Sequence, residues 1–153
     1  MLYTTALMIH TGATLAALLS FMAGELLFAM ARKGQWRPAR MALRAGRSAH
    51  LLLNLGVLAG IALVFLGGWP LWTPWLLAAF AVIAVAMAVR HGFVAPWELR
   101  VESALGGEAS GAQIGAFASE KSALAARVSV IALFGVVAAL MTMKPGLPLL
   151  FGG

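Results

Sequence analysis

The sequence predicts an all-α membrane protein: a four-transmembrane-helix, up-down bundle with both termini on the outer (periplasmic) side of a bacterial inner membrane. Three observations predict it. The chain is 62% hydrophobic and 10% charged, against roughly 45–50% and about 25% in soluble domains, so too little polar surface exists to wrap a water-soluble core. Its apolar residues fall into four runs, each near the length of about 20 residues that crosses a bilayer, and these use up all of 1–153 as one integral membrane domain. Finally, Arg32, Lys33, Arg37, Arg40, Arg44 and Arg47 crowd between the first two runs with no acid among them. Lys and Arg are retained on the cytoplasmic side, so this loop sets the direction of every span.

The first span, 2–31, lacks a positive n-region and is too long for a signal-peptide core; it reads as a retained helix. Gly12, Ala16, Ser20 and Gly24 recur every four residues, a spacing that lets helices approach closely in lipid. His10, Ala13, Ala17 and Gly24 share one side, which turns His10 toward the bundle. Pro38 suits a first helical turn, and Arg37, Arg40, Arg44 and Arg47 follow at spacings of three and four. That cationic face suits anionic lipid headgroups, and its helix leads into the second span, 48–66. His50 and Asn54 lie one turn apart there, and Gly56 and Gly60 form a GxxxG pair.

Gly67 and Gly68 end that span. The turn GGWPLWTPW is uncharged and rich in Trp, as expected of an outer turn in the aromatic belt. Thr73 and Pro74 read as N-cap and first helical residue of the third span, 74–91, an antiparallel neighbour of the second. Pro96, Trp97, Glu98, Arg100 and Glu102 then suggest a short interfacial helix, and LGGEASGAQIGAFAS a flexible cytoplasmic loop. The fourth span is 122–143, stopped by Lys144 and Pro145.

Ionisable groups inside a membrane mark function or internal pairing, and topology sorts them into two layers. The cytoplasmic layer holds Glu25, His50, Asn54, Arg90, His91 and Arg127. Glu25 and Arg127 at one depth read as a structural ion pair. His50 and His91, on neighbouring helices, could ligate a b-type haem iron, with Arg90, Arg127 or Arg47 meeting its propionates; the alternative is two amphipathic anchors in the headgroup zone. A proton relay through Glu25 and a His is a third reading. The outer layer holds His10, a second candidate site, with Thr11, Thr14, Met8, Met141 and Met143. Soft thioethers suit Cu(I), but methionines two residues apart point to opposite faces, and core filling is the better account. No dedicated metal site is expected. Without cysteine, disulfides, thiolate metal sites and CxxCH haem attachment are excluded. Nucleic acid is excluded as a partner, since no basic patch stands on a soluble fold.

The early His in MIHTGA, the basic loop, the GGWPLWTPW turn and the four-span length resemble a loose bacterial group over the first three spans. It contains small integral membrane proteins together with the HemJ-type protoporphyrinogen oxidases and the CopD copper-resistance proteins. The resemblance implies haem, tetrapyrrole or copper chemistry, and makes His10 the position matching a functional His of the HemJ-like branch. That branch also uses a Lys in the third span, where this chain has none and only Arg90 at the end. The leading expectation is a protein holding a haem-like or other redox ligand, or a small membrane subunit of an electron-transfer complex. The alternatives are a cofactor-free structural or assembly subunit docking other membrane subunits, and a small proton- or ion-coupled pathway using Glu25.

Overall fold

Alanine and glycine decide which helices touch. The computed structural model describes residues 1–107 and 109–143, and all regular structure among them is helical. In chain order these are α1 (Leu2–Ala31), α2 (Trp36–Leu66), α3 (Pro74–Val89), a π-helical turn (Arg90–Val94), α4 (Ala95–Gly106), α5 (Gly111–Ala118) and α6 (Lys121–Met143). Four stretches are long and apolar enough to cross a membrane: α1, α2, the continuous run from α3 through α4, and α6. The stop expected at Lys144 and Pro145 lies outside the described residues.

Helices α1 and α2 form the closest pair. Ala13, Ala17, Gly24 and Ala31 are buried on one, and Ala39, Ala42, Ala49 and Gly56 on the other, so the backbones approach with little between them. A Cβ on Gly56 would stand 2.8 Å from Thr14 Oγ1, and one on Gly60 3.0 Å from the His10 ring. The GxxxG pair is thus the slot that receives His10 and Thr14. Of the four-residue stripe, Gly24 lies in this contact, but Gly12 has open space beside it, and the Ser20 hydroxyl turns back to donate to Ala16 O at 2.8 Å. Gly60→Val should therefore destabilise the protein by about 1–3 kcal/mol through overpacking, while Gly12→Val should leave it unchanged. Unfolding in SDS/maltoside mixed micelles measures both.

The second close pair is α3 with α6, not α2 with α3. Helices α2 and α3 meet through larger side chains at two levels. One is Val64 against Trp75 and Leu76; the other is His50 against Arg90. Between them, Trp69 N–H donates to Val64 O at 3.1 Å across the Gly67–Gly68 turn, and Trp69 packs edge-on against Trp75 at 5.7 Å. Thr73 is the N-cap of α3 through its carbonyl, which accepts from Leu76 and Leu77 N–H. Its hydroxyl, however, donates to Pro70 O at 2.6 Å.

At Arg90 the helix does not stop. It widens into the π turn and continues as α4 to Gly106. The widening lies just before Pro96, which lacks the N–H needed to bond four residues back. The stretch expected to be a flexible loop contains α5, whose N-cap Ser110 accepts from Gln113 N–H while the Gln113 side chain accepts from Ser110 N–H. This is a capping box, and Ile114 and Ala118 bury it against Ala31 and Ala39. Outside, Leu15, Leu19, Leu26, Leu51, Leu58, Phe65 and Val85 are exposed. Small residues inside and large apolar ones outside invert the arrangement of water-soluble proteins and match a lipid solvent.

Candidate functional site: a charged cluster at one end of the bundle

Side chains from four of the helices and the π turn converge at the end of the bundle that carries the basic turn. From α6, Arg127 is only 7% exposed. Its Nε donates to Glu25 Oε1 at 2.6 Å and its Nη2 to Glu25 Oε2 at 3.2 Å, the two-pronged geometry that fits guanidinium to carboxylate. The guanidinium carbon stands 4.1 Å from the Trp97 ring centre and 4.7 Å from that of Phe28, so aromatic faces from α4 and α1 hold the cation. The remaining nitrogen, Nη1, is buried without a hydrogen-bond partner among the described residues.

Beside this pair stands a second group. Arg90 Nε donates to His50, 2.7 Å from Nε2 and 2.9 Å from Nδ1. Arg90 Nη2 lies 3.5 Å from Glu98 Oε2, and His50 Nε2 4.0 Å from Glu98 Oε1. Gly46 packs beside that carboxylate: a Cβ there would stand 3.4 Å from Oε1, an ordinary contact. Phe21 closes the His50 ring edge-on at 5.0 Å. Further out, Arg47 reaches Glu102 at 2.9 Å and Arg40 donates to Leu105 O at 3.3 Å, tying part of the cationic face to α4. Two guanidiniums thus face two carboxylates and one imidazole in a balanced set.

Glu98 is the member that sequence reasoning placed elsewhere, on a separate interfacial helix. Eight residues of α-helix separate side chains by about 80° in phase. A π turn absorbs one residue, which brings Arg90 and Glu98 to within about 20° of each other, two turns apart. The signal available in the sequence was the acid eight residues after Arg90, readable only with the helix continuous.

A cavity of about 30 Å³ lies among these groups, lined by Glu25, His50, Arg90, Glu98 and Arg127 with Phe28. A water needs at least about 10–15 Å³, so the space has room for one or two. This enclosed space is smaller than a b-type haem; a more open groove of about 310 Å³ borders His50, Arg90 and Glu98 on the side of Arg47 and Glu102. His50 accepts from Arg90 Nε on one ring nitrogen, and His91 does not line the cavity. His91 is exposed, and its Nδ1 donates to Met87 O of its own helix at 2.8 Å. The two imidazoles are therefore not presented as a facing ligand pair.

The other candidate, His10, at the opposite end of the bundle, sits between helices. Its Nδ1 donates to Gly56 O at 2.7 Å; a carbonyl only accepts, so the proton is on Nδ1. Thr14 Oγ1 donates back to His10 O at 2.6 Å. His10 and Met141 line one cavity of about 160 Å³ with Tyr3, Trp69 and Trp75, while Met8 and Met143 are turned outward. Among the described residues no three His, Cys, Asp or Glu side chains gather as a metal site. Comparison with protein-family models, with curated proteins and with solved structures finds no match to this chain.

Proposed function

We propose that this chain is a multi-pass protein of the bacterial inner membrane, its basic turn and charged cluster on the cytoplasmic side and both ends outside. Its role is that of a cofactor-free structural or assembly subunit of a membrane complex. The observation that carries this reading is the mutual compensation in the cluster. Glu25 is taken by Arg127, His50 and Glu98 by Arg90, and the space enclosed among them is water-sized; the larger groove of about 310 Å³ on the far side of His50, Arg90 and Glu98 is more open and also lined by Arg47 and Glu102. Groups paired in this way lock α1 and α2 to the α3–α4 and α6 side rather than wait for a large ligand. The cationic face of α2, where Arg37 and Arg44 remain exposed, is left for anionic headgroups or an acidic neighbour.

The test replaces the chemistry while keeping the packing. In a structural clasp, an apolar pair of similar volume substitutes for a buried ion pair without loss. Glu25→Met with Arg127→Met should then keep both the fold and the migration of the native complex in mild detergent. A double variant that folds normally yet drops out of the complex overturns the reading, as does a Soret band after incubation of the purified protein with haemin. Alkaline phosphatase fused at either end should be active; an inactive fusion overturns the orientation.

A second reading, proton exchange with the cytoplasm, is favoured by Arg127 Nη1, without a hydrogen-bond partner among the described residues, beside a cavity with room for water, and by the loosely held Glu98. Glu25, with both oxygens engaged, is the poorer carrier. Proton flux into liposomes that falls on Glu98→Gln supports this reading; unchanged flux removes it.

A further inference from the structure

Helix α2 presents two faces. One, with Ala49, Leu53, Gly56 and Val64, is buried within the chain. On the other, Leu51, Asn54, Leu58, Ile61 and Phe65 follow at alternating spacings of three and four, the heptad seam of paired helices. All are exposed, Leu51, Leu58 and Phe65 to 68%, 65% and 67%. In a bilayer, exposed leucine is ordinary and exposed asparagine is not. The Asn54 carboxamide has two N–H donors and a carbonyl acceptor, is placed mid-helix, and makes no hydrogen bond to any described residue. Hydrocarbon satisfies none of these groups.

We propose that this face of α2 is a homodimer interface, with Asn54 hydrogen-bonded to Asn54 of a second copy. Polar complementarity selects that occupant. Every copy in a membrane has the same orientation, so two α2 helices related by an axis along the membrane normal run parallel and meet at equal depth. Each position then faces itself. A carboxamide opposite a carboxamide gives one N–H and receives one, so both are satisfied by a single symmetric contact. An apolar helix offers nothing to it, and an acidic or basic one leaves half of it unsatisfied. The same stripe runs back into Arg44 and Arg47. Arg47 is already paired with Glu102, and at a crossing angle of about 20° the helices part toward that end, where headgroups lie between the cations.

The proposal rests on the membrane placement given above and is independent of what the charged cluster does. The chain has no cysteine, so one introduced residue reports cleanly. Leu58→Cys in lipid vesicles at high dilution should form a disulfide-linked dimer on mild oxidation, and Leu19→Cys, exposed on α1, should not. By energy transfer between labelled copies, Asn54→Leu should weaken association about tenfold, and Asn54→Gln should largely keep it. Because the Asn54 carboxamide is exposed and makes no hydrogen bond to any described residue of its own chain, Asn54→Leu should unfold at the same SDS fraction as the parent. Equal cross-linking at positions 19 and 58, undiminished association of Asn54→Leu, or cross-links from position 58 only to a different protein overturns the dimer. Release of the chain from vesicles by alkali would instead overturn the membrane placement beneath it.

Discussion

Arg127→Met should be among the most damaging single substitutions in this protein, lowering stability by about 3–5 kcal/mol. The reason is what it leaves behind. Glu25 keeps its place on α1 with neither oxygen compensated, at a depth where a lone carboxylate is expensive. Trp97 and Phe28 also lose the cation held between them at 4.1 and 4.7 Å, contacts that contribute about 0.5–2 kcal/mol when desolvated. Arg127→Lys should recover only part of the loss. A lysine is a point charge and supplies neither the two-pronged contact nor the flat surface the aromatic rings touch. Glu25→Met combined with Arg127→Met should recover most of it. Unfolding midpoints in SDS/maltoside micelles for the two single variants and the double complete a cycle. A loss below about 1 kcal/mol for Arg127→Met would mean the pair is solvated and holds nothing together.

How far the cluster could be foreseen depends on helix continuity. Glu25 and Arg127 lie near the same end of their spans, so counting residues from the basic turn places them at one depth with no knowledge of packing. His10 was readable for a similar reason, because Ala13, Ala17 and Gly24 share its side and small residues mark the close face. Glu98 was not readable, since a proline two residues earlier suggests a break where the chain instead makes a π turn. Proline fixes a missing bond, but whether the helix ends or widens depends on what holds the far side. Here Trp97 and Val101 are buried against Phe28, Ala42 and Ala123, contacts from elements distant in sequence. The pairing of α3 with α6 was hidden likewise: a short turn makes α2 and α3 consecutive, but alanine and glycine on α1 draw α2 away. Glycines and serine in LGGEASGAQIGAFAS suggested flexibility, while the Ser110–Gln113 box is a start signal of equal clarity in the same letters.

Gly34→Val should release α5 from the bundle. Gly34 has φ +79°, a left-handed conformation that disfavours side chains by roughly 1–2 kcal/mol. It also has no room: a Cβ would stand 2.8 Å from Gly111 O and 3.0 Å from its carbonyl carbon. These are backbone atoms at the start of α5, so relief requires moving the helix, and overpacking adds about 1–3 kcal/mol. The α1–α2 turn and α5 are clamped glycine to glycine, with Gly115 likewise placing a Cβ 3.0 Å from Arg32 O. Because α5 is short and held chiefly by Ile114 and Ala118, it should detach before the spanning helices separate. Limited proteolysis between Gly106 and Lys121 reads this directly. Cleavage should be fastest in Gly34→Val, slower in Gly34→Asn, which tolerates the dihedral but keeps the clash, slower again in Gly115→Ala, and unchanged in Gly12→Ala. Should Gly34→Val resist the protease as the parent does, the turn is not packed on α5, and this end of the bundle is held by the charged cluster alone.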